Sequence, residues 1–236
     1  MISLKRDLST RGVIILCNVS EESKRPREDQ MAYTIACVTG IRNLLNVLRL
    51  YHLPTFLHSR RVSVMARRVG YELGWRGDSL RLLCIFGLLH DVGKLAVDPA
   101  ILEKPGRLAR EEWEAICRHP IVGEQLVRRV TGSTSMAAWV RSHHERWDGN
   151  GYPDGIASDS IPLQARILSV VDAFDAMLDG RPYHRSRRTI KMALEEIERG
   201  AGAQFDPELA DLFISMVRRE GRTLAKMFPP SQLGGD

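Results

Sequence analysis

The sequence predicts an all-α bundle of about seven or eight helices, and three observations carry that expectation. Apolar residues recur at three- and four-residue spacing, period-two alternation is almost absent, and one glycine- and proline-rich stretch breaks the helical pattern. Residues 1–30 read as a leader and linker: the apolar run at 12–17 is too short for a signal peptide, and 20–30 are charged and broken by Pro26. Ile41, Leu44, Leu45 and Leu48 line one helical face, and His58, Val62, Met65, Val69 and Leu73 form the next stripe, ending near Gly74. Asp78 is expected to cap a segment in which Leu80, Leu83, Phe86 and Leu89 recur before Gly93. Residues 110–130, 135–146, 162–179, 187–199 and 207–219 also read as helical, within a single domain over 31–225 followed by a tail at 226–236. The interruption is Asp148-Gly149-Asn150-Gly151-Tyr152-Pro153-Asp154-Gly155, whose residues favour turns and make a suitable wall for a site.

At 236 residues the chain is long enough to bury a core without disulfides. A hydrophobic fraction of 44% and a charged fraction of 27% exclude a wholly disordered chain or a collagen-like one. The net charge of +5 is too small to imply DNA or any other polyanion as partner. The longest run without Asp, Glu, Lys or Arg, residues 30–41, falls short of the roughly 20 residues of a membrane span. Cysteines at 17, 37, 84 and 117 form no close pair, which fits a reducing cytoplasm.

Chemistry concentrates in the histidines. Of seven, five stand in suggestive contexts: His58, His90, His119, His143 and His144. His90-Asp91 closes the apolar run Leu82-Leu83-Cys84-Ile85-Phe86-Gly87-Leu88-Leu89, which pulls both side chains inward, and a buried carboxylate needs a cation or hydrogen bonds. With Asp172 on a later apolar helix, five imidazoles and two carboxylates exceed the four ligands of a closed zinc site. Adjacent helical side chains diverge by roughly 100°, so His90 and Asp91, or His143 and His144, would address neighbouring ions. The economical expectation is two divalent metals roughly 3.5–4 Å apart with Asp91 bridging. Mixed imidazole and carboxylate ligands suit iron or manganese, with zinc or nickel also compatible.

These residues resemble the HD-GYP branch of the HD metal-dependent phosphohydrolases over about residues 54–200. His90-Asp91-Val92-Gly93-Lys94 matches the HD signature, and His143-His144-Glu145-Arg146-Trp147-Asp148-Gly149-Asn150-Gly151-Tyr152-Pro153 matches the stretch that names the branch. Thr55 to His58 with Arg61 and Val62, Arg118-His119-Pro120, Ile161-Pro162, Ala165-Arg166-Ile167, Asp172 with Phe174-Asp175-Ala176, and Arg181-Pro182-Tyr183 follow in order. The resemblance implies an HD-type bundle that hydrolyses cyclic di-GMP to pGpG, and to GMP where the pocket accepts a free end. It implies His58, His90, Asp91, His119, His143, His144 and Asp172 as metal ligands, with Asp91 at the centre of catalysis. Lys94 would neutralise phosphate, Gly151, Tyr152 and Pro153 would shape the substrate loop, and Arg181 would present its planar fork to phosphate or guanine. Asp175, one turn beyond Asp172, and Glu145, beside the histidine pair, would support the ligands.

Two departures from the family matter. Some members place a third-metal Glu where this chain has Pro54, so two ions are expected, and the basic residue that often follows the Arg-Pro-Tyr triplet is here His184. His52 and His184 are read as structural or exposed. Trp75, Trp113, Trp139 and Trp147 are read as core or interface residues rather than nucleobase platforms. The two ions would bring their shared water toward a pKa of roughly 7 for attack on phosphorus. An HD-scaffold di-iron oxygenase and a non-catalytic cyclic-dinucleotide-responsive module are the competing readings. The chain leaves no room for a sensory domain ahead of the match, so regulation would come from a separate signalling protein or be absent. A homodimer is among the assemblies open to it.

Overall fold

The structure, a computed structural model, describes residues 27–179 and 189–225, with the side chains of 27–34 and 221–225 outside that description. Its order is α1 (Arg27–Tyr51), α2 (Leu53–Glu72), α3 (Asp78–Leu89), a 3-10 turn (Val92–Ala96), α4 (Pro99–Leu102), α5 (Arg110–Cys117), α6 (His119–Thr131), α7 (Thr134–Ser142), a second 3-10 turn (Ser158–Ser160), α8 (Leu163–Asp179), α9 (Ile190–Gly200) and α10 (Pro207–Ala225). The described residues contain no strand, only an isolated bridge between Ala201 and Phe205. The all-α expectation is met.

The differences from the sequence reading lie at the helix ends. Residues 27–30, assigned to a linker, already belong to α1. The expected helix over 110–130 divides at Arg118, and α6 starts on His119 with Pro120 in its first turn, where a missing N–H costs nothing. The helix expected over 135–146 stops at Ser142, leaving His143 as its C-cap. Asp78 does not cap α3; Gly77 holds the cap position at φ 58°, and Asp78 is the first helical residue, paired with Arg81. The division at Arg118 and the single turn of α4 account for ten helical segments among the described residues instead of seven or eight.

Helix α3 is the centre of the bundle. Leu83, Ile85, Phe86, Leu88 and Leu89 are all buried there, and truncating Phe86 to Ala would cost about 3–5 kcal/mol. Gly87 lets α2 and α3 touch along their backbones: a Cβ would lie 2.6 Å from Ser63 Cα, so no other residue fits without displacing α2. Gly93 plays the same part between the turn after α3 and the start of α6, since its Cβ would lie 1.9 Å from the His119 carbonyl oxygen. These two approaches bring His58 on α2, His90-Asp91 after α3, and His119 on α6 to one place.

Candidate metal centre

Side chains from five regions converge there: His58 from α2, His90 and Asp91 from the end of α3, His119 from the start of α6, His143 and His144 from the end of α7, and Asp172 from α8. They form two groups that share Asp91. One is Asp91, His119, His143 and His144, the other His58, His90 and Asp91, and within each group the ligand-type atoms lie within 4.8 Å of one another. Asp172 joins the second group, with Oδ1 2.8 Å from His58 Nε2 and 3.8 Å from His90 Nε2. His58, His90, Asp91, His119, His143 and Asp172 are all buried.

Backbone carbonyls fix how the rings present themselves. Nδ1 of His90, His119 and His143 meets the carbonyl oxygen three residues upstream, of Gly87, Ile116 and Val140, at 2.9, 2.7 and 2.6 Å. A carbonyl only accepts, so each Nδ1 carries the proton, and in the neutral ring Nε2 is a lone pair aimed inward. His119 Nε2 and His143 Nε2 then face each other at 3.1 Å. Two lone pairs at that distance repel unless a cation or proton lies with them. His90 Nε2 is buried without a hydrogen-bond partner among the described residues, 3.4 Å from Asp91 Oδ2. The donor set therefore fits divalent metal ions, which fill such lone pairs and offset the two carboxylates.

Electrostatics divide the cluster. Burial pushes the His119, His143 and His144 imidazoles below their ordinary range, for His143 and His144 well below it, so these rings are neutral and fit to ligate. Burial also works against charge on His58, but hydrogen bonds to Asp172 and Asp175 outweigh it and raise its pKa to about 9. A metal at His58 therefore displaces a proton. Burial opposes ionisation of Asp91 too, yet the Lys94 ammonium and the field of His90 hold its carboxyl well below the usual range. Asp175, fully buried, is held ionised by His58 and Arg61, whose guanidinium reaches it twice at 2.8 Å while Asp175 Oδ2 meets His58 Nδ1 at 2.7 Å.

Against known proteins, the profile of the family described as HD domain matches residues 43–209. The chain belongs to the HD domain family. Among relatives, it is 38% identical over 159 residues to the cyclic di-GMP phosphodiesterase response regulator RpfG of Xanthomonas campestris, a match covering 65% of this chain and 41% of that one. It is 36% identical over 177 residues to the 3'3'-cGAMP-specific phosphodiesterase 3 of Vibrio cholerae, covering 75% of this chain and 38% of that one. The chain thus spans about two fifths of the length of these relatives. Among solved structures, the HDG"Y"P protein Bd1817 of Bdellovibrio bacteriovorus superposes with a TM-score of 0.59 at 14% identity, over 88% of this chain and 77% of its own, which speaks for the fold.

In this HD domain the remaining sequence-predicted residues lie as follows. Lys94 is buried with Nζ 2.7 Å from Asp91 Oδ2, not exposed at a helix end. The Tyr152 ring stands 4.9 Å from the His144 ring at 33°, and its backbone N–H donates to the His144 carbonyl. Gly151 sits against Glu145, where a Cβ would lie 2.5 Å from the Glu145 Cα, and Pro153 continues the same loop. The buried carboxylate of Glu145 accepts from the Asp154 N–H at 2.7 Å and so anchors the loop beside the histidine pair, while burial pushes its pKa up. Arg181 lies outside the described residues, as do Cys17 and His184. His52 caps α2, its Nδ1 accepting from the Thr55 N–H, in keeping with a structural role.

Sequence reasoning assigned no role to Arg141, which grips Asp154 through two nitrogens at 2.6 and 2.7 Å and also reaches Glu124 at 2.8 Å. It also placed Trp113 among core or interface residues; the residue is 51% exposed, which takes it out of the core, and its ring stands at 76° to that of Tyr152. Its position two residues before the histidine pair was a weak cue to Arg141; nothing local marked Trp113. No helix among the described residues is long and apolar enough to cross a membrane.

Proposed function

We propose that the chain is a metal-dependent phosphodiesterase that hydrolyses cyclic di-GMP at a centre of two divalent ions, iron or manganese by preference, with zinc or nickel also compatible. The observation that carries this reading is the pair of ligand groups sharing Asp91, with His119 and His143 presenting facing lone pairs at 3.1 Å. Bound ions would supply a hydroxide near neutral pH and Lewis-acid stabilisation of a phosphoryl group.

The chain's own residues do the rest. His90, His119 and His143 are locked in the metal-binding tautomer by backbone carbonyls, so no reorganisation is needed when charge develops. Lys94 holds a buried ammonium beside Asp91, where it offsets negative charge on the phosphoryl oxygens of a bound diester. The Gly151-Tyr152-Pro153 loop walls the centre. Cleavage of the bond from phosphorus to the ribose 3′ oxygen by water gives pGpG, the phosphorus keeping the new oxygen and the 3′ oxygen taking a proton; a second cleavage gives GMP. The RpfG relative, named for cyclic di-GMP, supports that substrate, and the 3'3'-cGAMP-specific relative makes cGAMP the competitor to assay beside it.

The test is anaerobic purification, loading with iron or manganese, metal quantification, and chromatography after incubation with each cyclic dinucleotide. Appearance of pGpG followed by GMP is expected. Tight binding without product in metal-replete protein would instead make the chain an interaction module, and oxygen consumption with a small organic substrate would make it an oxygenase.

A further inference from the structure

We infer that Trp113 is a stacking wall for a guanine base of the substrate, an assignment that rests on the cyclic-dinucleotide reading of the metal centre. The side chains form a ladder of rings from the centre to the surface. His144 belongs to the ligand group, Tyr152 lies 4.9 Å from it and tilted by 33°, and Trp113 stands 6.2 Å beyond at 76°. The last ring is bare, with 51% of Trp113 exposed.

Single exposed apolar residues are ordinary on protein surfaces, and what sets this one apart is where it sits. Helix α5 buries none of its residues, so it is a polar ledge rather than a piece of the core. It is fixed in place by Glu112, which accepts from Lys104 at 2.7 Å and from the Ala109 N–H at 2.7 Å. A fixed ledge carrying one half-exposed indole beside the loop that walls the centre suits a planar ring more than an aliphatic or peptide ligand. A phosphodiester held at the metals carries its nucleosides outward, and the indole stands two ring contacts out from His144. Stacking accepts any base, so Trp113 adds affinity without choosing between guanine and adenine, and its loss should weaken cyclic di-GMP and 3'3'-cGAMP alike.

The test uses the metal-loaded full chain and GMP, which carries phosphate, ribose and base but has no diester to cleave. GMP should quench tryptophan emission, and Trp113→Phe should remove that quench while keeping most of the affinity. By calorimetry, Trp113→Ala should weaken GMP by about tenfold, the worth of one stacked base, and leave ribose 5-phosphate unchanged. Unaltered GMP affinity in Trp113→Ala, a quench that persists in Trp113→Phe, or an equal loss for ribose 5-phosphate would overturn the assignment. Failure of the phosphodiesterase reading would show separately, as wild-type protein that makes no pGpG or GMP.

Discussion

The metal cluster and the loop beside it are built by different forces. In the cluster the side chains rise from helices positioned by core packing, His58 and Asp172 from within a helix and the others from helix ends, and buried hydrogen bonds such as His143 Nδ1 to the Val140 carbonyl orient several of them. The loop over residues 145–158 is tied down by backbone links, Asp148 N–H to the Ala203 carbonyl at 2.8 Å among them, and by ion pairs at the surface. Arg141 and Asp154 keep 30% and 38% of their side chains exposed. Packing and buried hydrogen bonds are indifferent to salt, whereas exposed charge pairs are screened. The centre should therefore behave as a rigid part and the loop as an adjustable one.

The sharpest way to break that contrast is at Asp91, which both ligand groups share. Asp91→Ala should empty both metal positions and lower hydrolysis by more than the hundred- to thousandfold typical of losing a single stabilising donor. It also strands Lys94, and breaking a buried pair costs about 3–5 kcal/mol. Asp91→Asn, which keeps the shape and a hydrogen bond to Lys94, separates the two effects. Metal quantification on both variants decides, and retained metal in either one contradicts the bridging role.

A smaller effect is expected at Asp175, which touches His58 Nδ1 and Arg61 from behind. Asp175→Asn keeps the volume but removes the charge that orients His58, and losing such a support costs 10–100-fold in metal affinity. The loss should fall on the group of His58 and His90, leaving the group of His119, His143 and His144 near wild type. Metal titration resolving two affinities would show the split. An equal loss at both positions would mean that the cluster does not divide as its electrostatics suggest.

This division marks what the sequence could tell. His90-Asp91, closing an apolar run, and His143-His144, adjoining a glycine-rich stretch, were legible from local motifs, whereas His58, His119 and Asp172 stand alone in sequence and came in through the family resemblance. The helices were legible from periodicity, except where His119-Pro120 begins a new helix inside a continuous pattern, where the single turn of α4 left no stripe, and where α7 ends two residues before His144. The ladder through Trp113 and the clamp from Arg141 were not legible. Both depend on which side of a short helix meets a loop, a contact set by tertiary packing that no local spacing encodes. The inward lone pairs of His119 and His143 also needed coordinates, since only the carbonyl at Nδ1 fixes the tautomer.

Cutting the loop clamp tests its adjustable character. Arg141→Ala removes two bonds to Asp154 and one to Glu124, an exposed set worth about 1 kcal/mol. Metal content should stay at the wild-type level while KM for the cyclic dinucleotide rises several-fold. A drop in bound metal would show that loop and centre are one mechanical unit, and the contrast drawn above would fail.

The mildest perturbation is acid. The hydrogen bond from Arg141 is the main reason the Asp154 carboxyl titrates below its ordinary value, burial opposing it weakly. A carboxylate whose folded pKa is depressed stabilises its surroundings fully above the unfolded value of about 3.9 and loses that contribution as pH falls through the lower folded value. Glu145, which also accepts from this stretch, titrates in both proteins, so the difference in hydrogen-exchange protection of the amides at 152–156 between wild type and Arg141→Ala should be constant from pH 7 to 5 and shrink below pH 4. Because both partners are about a third exposed, the loss should stay within a few fold and should shrink further in 1 M salt, where the Debye length is about 3 Å. In Arg141→Ala the same amides should show a weaker pH dependence, since Asp154 then titrates without its partner. Protection that falls equally in both proteins would trace the acid response to another group and leave the clamp without a measurable share in holding the loop.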